Sequence, residues 1–201
     1  MWLLYYKIRM MIEHSDKRTA LRLITGGLQC RIRFGPLRIV AAPQSSAPFE
    51  VDALTFEEDT WLVMSAEPKI GDLPEHPIRL MNDLHKARPK SVGSLVVQGR
   101  NPMRFLAIVH DVNHDPTCRQ EWVQRALNAI FREAERRKLR ALGLPLIGTL
   151  HGKLVPQHFA ELFSQALLQA PLKHLRRVWL IAPVPTNAKI IDMLQPMLNE
   201  T

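Results

Sequence analysis

Gly148 and Gly152 bracket Thr149, Leu150 and His151 at the end of a largely apolar run over residues 139–147, and Pro156 follows shortly after. An apolar run too short for a buried helix reads as an interior parallel strand, and proline suits the first turn of the helix that comes next. Backbone N–H groups in such a turn, beside the positive end of a helix, can hold an anion without any basic side chain. The same pattern also serves as a plain tight turn, since glycine adopts positive φ without steric cost. The neighbouring elements have to decide between the two.

A second group with chemistry is the acidic run Glu57, Glu58 and Asp59. A carboxylate facing a hydroxyl accepts its hydrogen bond or its proton, so the run could contact a ribose or act as a general base. It would also repel a diphosphate, and a solvent-facing acidic turn fits the residues equally well. His110 and His114 are spaced for one face of a helix, but Asp115-Pro116 argues for a loop there, and zinc would need a third protein ligand that is not evident. No metal site and no cofactor are expected. His110, at the end of an apolar run, reads as a structural residue.

Cys30 and Cys118 are the only cysteines, too few for a disulfide framework or a four-cysteine zinc site. Neither they nor any serine lies in a nucleophile-elbow pattern. Thr117 to Gln120 has capping-box spacing, threonine hydroxyl and glutamine amide each satisfying an exposed backbone donor. This would set Cys118 at a helix start, where a thiol pKa is lowered.

The elements that must position these residues follow from periodicity. Residues 28–34 alternate as a half-buried strand, Gly35-Pro36 turns the chain, and residues 37–41 return as the second arm of a hairpin. Residues 43–48 read as a loop. Residues 51–56 form the next strand, ended by the acidic run, with residues 61–64 as an apolar continuation. Residues 69–89 look like an irregular crossover with a short helical stretch at 78–86. Residues 94–97 and 105–109 are strands separated by a turn containing Gly99 and Pro102. Val123, Leu127, Ile130, Phe131 and Ala134 then make one apolar helical stripe, and Phe159, Leu162, Phe163, Ala166 and Leu167 make another. Residues 178–182 are a buried strand, and residues 186–198 a final helix interrupted by Pro196. Strands alternating with helices imply parallel pairing with right-handed crossovers, while the hairpin adds an antiparallel pair. The fold class is therefore α/β: a three-layer α/β/α sandwich around a mixed, mostly parallel sheet. Ligands of such sheets bind beyond the carboxyl ends of the strands, where residues 148–152 lie.

A chain of 201 residues with 46% apolar content suits one domain. It is read here as a single domain over residues 28–201, preceded by an extension over residues 1–27 that is either an added strand or a segment before a start at Met10 or Met11. No apolar run approaches the roughly 20 residues of a membrane span, and the first six residues are too short and aromatic for a signal-peptide core, so a cytoplasmic protein is expected. The formal net charge of +8 favours polyanionic partners without choosing among them. Much of it sits at Arg132, Arg136, Arg137, Lys138 and Arg140, where cations at a helix C-terminus complement its dipole.

Residues 92–98, 105–111 and 144–152, with the amphipathic helix between the last two, resemble in order and spacing a macro domain, the ADP-ribose-binding, Appr-1-p processing-like family. Val51-Asp-Ala-Leu-Thr-Phe-Glu-Glu-Asp59 resembles that family's first binding strand, and the likeness spans residues 28–183. It implies that the amides of Gly148, Thr149, Leu150, His151 and Gly152 wrap a diphosphate, with Asp52, Glu58 and Asp59 lining the other side. The departures are specific. The asparagine-rich segment of the hydrolytic members is replaced by residues 55–60, and the glycine run that clamps the distal ribose by Ser65-Ala-Glu-Pro68. The aspartate that meets adenine has no clear equivalent in residues 40–44.

The resemblance thus implies a divergent macro-like domain that binds ADP-ribose or a related nucleotide diphosphate. If the chain is an enzyme, it would be an ADP-ribosyl hydrolase. The other reading is a degenerate macro fold that serves as a scaffold or an RNA or protein interaction module without a small ligand. Nucleic acid is the second-choice partner and a membrane is not expected.

Overall fold

The computed structural model describes residues 30–64 and 88–199. The extension over residues 1–27, the altered segment at 65–68 and the helical stretch at 78–86 lie outside those residues. Among the described residues, seven strands and three helices follow in the order β1 (Cys30–Phe34), β2 (Leu37–Ala42), β3 (Ala53–Asp59), β4 (Leu95–Gln98), β5 (Met103–His110), α1 (Gln120–Arg136), β6 (Ala141–Pro145), α2 (Pro156–Gln169), β7 (Arg177–Ile181) and α3 (Val184–Asn199). They form one sheet in the order β1-β2-β7-β6-β3-β5-β4. The five inner strands run parallel, and β1 and β4 close the two edges in antiparallel pairs. This is the mixed, mostly parallel α/β sandwich that the alternation of strand and helix implies.

Burial explains why the inner strands read as continuous apolar runs. On the helix face, Ile39, Val178, Leu142 and Ala53 fall in register across neighbouring strands, and all are fully buried. On the opposite face Val40, Trp179, Leu106 and Ile108 are also excluded from solvent. The Trp179 indole donates to the Ala42 carbonyl at 3.0 Å, so its one polar atom is satisfied. The helix layer is sealed by the α1 and α2 stripes, where Phe131 meets Phe163 at 5.7 Å between ring centroids and Phe159 stacks on Phe163 at 5.8 Å. Both pairs lie in the favourable range for aromatic contacts.

Two local readings change. The Thr117–Gln120 capping box does not form: α1 begins at Gln120 with Arg119 as its cap, and no side chain bonds its first turn. The residues ahead of it are already committed. Cys118 pairs with His110 as an antiparallel bridge, and the Thr117 carbonyl accepts the Asp111 N–H at 2.8 Å, so the chain stays extended until it has cleared β5. The acidic run, in turn, does not end β3. The strand pairs with β5 through Asp59, and Glu58 and Asp59 are buried. The apolar residues that follow make an exposed turn, with Val63 63% accessible, and do not continue the strand.

α1 ends in a Schellman motif: the Leu139 N–H bonds the Ala134 carbonyl at 2.9 Å and the Lys138 N–H bonds that of Glu135 at 3.0 Å. Lys138 takes φ +58°, a position that glycine fills more easily. The Glu135 carboxylate accepts the N–H groups of His174 and Leu175, tying the end of α1 to the approach into β7. Since Phe163 carries the aromatic contact between α1 and α2 and also stacks on Phe159 within α2, Phe163→Ala is expected to cost about 3–5 kcal/mol, read as a lowered urea midpoint with unchanged slope by circular dichroism.

Candidate functional site

The carboxyl ends of β3, β5 and β6 converge where a parallel sheet offers its ligand site. Parity along β3 puts Glu57 on the same face as Ala53 and Thr55, toward the helices. Its Oε1 pairs with Nε2 of His110, the last residue of β5, and its Oε2 accepts the Gly148 N–H at 3.1 Å. The side chains of His110 and Glu57 are only 4% and 8% exposed. A carboxylate removed from water must be paired and hydrogen-bonded to be tolerated, and both of its oxygens are here. One group therefore ties the ends of two strands to the glycine loop.

The loop itself is dictated by close approach. Gly148 sits at φ +83°, and its carbonyl accepts the Leu154 N–H at 2.9 Å, closing the turn. A Cβ on Gly152 would lie 2.6 Å from Cβ of Cys118 and 2.7 Å from the Gly148 carbonyl oxygen, so no side chain fits there. The Thr149 N–H and hydroxyl both go to the Leu146 carbonyl. Among the described residues, no acceptor takes the N–H groups of Leu150, His151 or Gly152. Leu150 is 79% exposed, and the His151 ring meets that of His110 edge-on at 6.2 Å. A run of unpaired N–H groups at a turn ahead of a helix is the arrangement that accepts anions.

Beside Gly152 opens a cleft of about 600 Å³, lined among others by Cys118, Arg119, Gln120, Lys153 and His158. The first turns of α1 and α2 both face it, and neither has a side-chain cap. Two uncapped helix starts, Arg119 and Lys153 bring positive charge to it, and Glu121 in the first turn of α1 brings one carboxylate.

The other carboxylates behave differently from Glu57. Glu58 accepts the N–H groups of Asp59 and Met64, while Asp59 accepts those of Trp61, Val63 and Met64. These groups lie at the carboxyl end of the sheet but are turned into their own loop, fixing the turn after β3. Asp52 is not part of the site. It precedes β3, so it stands at the opposite end of the sheet from residues 148–152, about 20 Å away along a seven-residue strand. There its Oδ2 accepts the N–H groups of Arg140 and Ala141 at 2.7 and 2.8 Å. Glu57 was visible in the sequence only as one of three acids. Extending the strand's parity one step past Phe56 would have picked it out as the acid that faces the helices.

Cys118 corrects a further expectation. Its thiol pKa is pushed up to about 12, first by burial and then by the nearby Glu57 carboxylate, which opposes a thiolate. The uncapped helix start does not offset this. His114 pairs with Asp111 at the surface, 2.9 Å away, and among the described residues no group of three or more His, Cys, Asp or Glu is arranged to hold a metal ion. No described helix is long and apolar enough to cross a membrane.

No family model and no curated protein matches the chain by sequence. Solved structures match it by fold. A macrodomain of Oceanobacillus iheyensis solved with ADP superposes with a TM-score of 0.58 at 11% identity, covering 86% of this chain and 95% of that one. A variant of the same macrodomain solved with ADPR gives 0.58 at 11% identity, over 86% and 97%. The macrodomain of Thermus aquaticus DarG gives 0.50 at 22% identity, over 73% and 98%. The chain has the macrodomain fold, in divergent form.

Because the folded thiol pKa lies above its unfolded value, Cys118 contributes stability that is full below about pH 9 and declines as pH rises toward about 12. Cys118 is therefore expected to resist iodoacetamide at about pH 8.5, where a free cysteine is half ionised, and to react on denaturation. Peptide mass mapping reads this, and rapid alkylation of Cys118 in the folded protein would contradict it.

Proposed function

We propose that this macrodomain fold binds ADP-ribose or a related nucleotide diphosphate at the carboxyl end of its sheet. The observation that carries the reading is the turn over residues 148–152, in which the N–H groups of Leu150, His151 and Gly152, ahead of α2, have no acceptor among the described residues. The cleft beside it is of small-molecule size, about 600 Å³. The fold neighbours solved with ADP and ADPR support the same ligand class. In this reading Leu150, His151 and Gly152 donate to the diphosphate, and Gly148 and Thr149 hold the turn that presents them.

Glu57 sets the terms of binding. Its carboxylate already occupies the Gly148 N–H, and its charge opposes a diphosphate at close range. The buried His110 partner offsets that charge to the extent that it carries a proton. Binding fits this arrangement better than hydrolysis of ADP-ribosyl groups, because Glu58 and Asp59 spend their carboxylates on backbone donors of their own turn and are not presented to a substrate water.

Calorimetric titration with ADP-ribose tests the reading. Gly148→Val, which puts a branched side chain at φ +83°, is expected to abolish the heat of binding. Glu57→Gln keeps an acceptor for Gly148 while removing the charge, and is expected to tighten binding several-fold. Absence of binding at millimolar ligand by both the wild type and Glu57→Gln would overturn the reading.

A further inference from the structure

The end of the sheet opposite the glycine loop carries a different kind of surface. Arg100, in the turn between β4 and β5, lies with Lys138 and Arg140 around a concavity of about 350 Å³, and Asp52 is the carboxylate within it. The Asp52 Oδ2 is taken by two backbone N–H groups. None of the three cations forms an ion pair among the described residues. The cationic surface continues along the same end of the sheet. Strand register places Arg33 opposite Arg38, and Arg38 opposite Arg177, while the Arg177 N–H bonds the Arg140 carbonyl at 3.0 Å. From Arg33 through Arg38 to Arg177 the row crosses three adjacent strands, about 10 Å at ordinary strand spacing, and Arg140 precedes the fourth, where Ala141 is the residue opposite Arg177. The Arg177 guanidinium is held over the Phe49 ring at 4.9 Å.

Helix-dipole matching explains only part of this charge. It accounts for Arg136 and Arg137, which close the last turn of α1 and are paired with Glu133. It does not account for Arg100 in a turn, or for Arg33, Arg38 and Arg177 on strands. Lys138 occupies a left-handed position at φ +58° where glycine would be cheaper, and it lines the concavity.

We propose that this end of the sheet is a docking surface for a nucleic-acid phosphate backbone, separate from the nucleotide site. Along a duplex axis each strand presents one phosphate about every 3.4 Å, so the row would face about three of them. The placement of apolar side chains argues for nucleic acid over an anionic membrane, which takes inserted apolar residues as well as charge. Trp61, Val63, Met64, Val112, Leu150, Val155 and Val184 are exposed, but each follows the carboxyl end of a strand. Among the described residues, only Leu168, late in α2, is a large apolar side chain exposed toward the basic end. The contacts are to phosphates, so affinity depends on charge and salt with little dependence on base sequence.

The test is fluorescence anisotropy of the full chain with labelled single-stranded RNA and duplex DNA of mixed sequence, over a series of salt concentrations. Lys138→Gly is the central variant, because glycine suits the backbone there and the fold is retained. It is expected to weaken binding several-fold, with a salt slope shallower by about 0.7 on a single strand or about 0.9 on a duplex. Adding Arg100→Ala and Arg140→Ala should remove most of the affinity, whereas Lys90→Ala, an equal charge loss at the other end of the sheet, should leave it within error. Gly148→Val should bind nucleic acid as the wild type does, which separates this outcome from failure of the nucleotide reading. A triple variant with wild-type affinity and slope would overturn the proposal. So would an equal loss in Lys90→Ala, or tighter binding to phosphatidylserine vesicles than to either nucleic acid at the same salt.

Discussion

The carboxyl end of the sheet is organised around one buried carboxylate. Glu57 bonds His110 with one oxygen and the Gly148 N–H with the other, so the ends of β3 and β5 and the loop after β6 share a single charged group. A carboxylate so removed from water is costly unless both oxygens are engaged, and that cost fixes the positions of its partners. His110 must end β5 where it does, and Gly148 must bring its amide inward. The same charge acts on Cys118, whose thiolate it opposes in addition to burial. Close packing of Cys118 on Gly152 then explains why that position has no side chain.

This constraint bears directly on the glycine loop. A glycine loop ahead of a helix is an anion site by default, and here an internal anion already holds its first amide. The loop is thereby pre-shaped but also partly occupied. The remaining donors, at Leu150, His151 and Gly152, lie farther along an exposed turn beside the cleft that the two helix starts overlook. Charge is divided along the strand axis as well. The acids of residues 57–59 stand at the carboxyl ends of the strands, and the arginines of β1, β2 and β7 stand in register at the other end. Parallel strands make this separation possible, because residues early in every inner strand are brought to one end of the sheet.

Much of the framework was legible in the chain. The interior strands announced themselves as short apolar runs because both faces of the sheet are buried, and the two helical stripes matched the packed faces of α1 and α2. Pro156 marked the start of α2 as its fixed φ requires. What misled was local chemistry read without its neighbours. Thr117 to Gln120 has the spacing of a capping box, yet Cys118 was claimed by a bridge to His110. Three consecutive acids look like a solvated turn, yet all have partners in the fold. Asp52 sits beside the strand that bears the other acids, yet a seven-residue strand carries it to the far end.

Residue types and their periods determined by themselves the class of fold, the order of its elements and the position of the glycine turn, because these follow from burial pattern and backbone freedom along a short stretch of chain. Only the tertiary structure decided which acid meets the loop, that Cys118 is an inert thiol, and that scattered arginines form one row. The physical reason is range. Hydrogen bonds and charge pairing act over a few ångströms in space, and the groups they join here, such as Glu57 with His110 and Gly148 or Arg38 with Arg177, are far apart in the chain and adjacent only once the sheet has assembled.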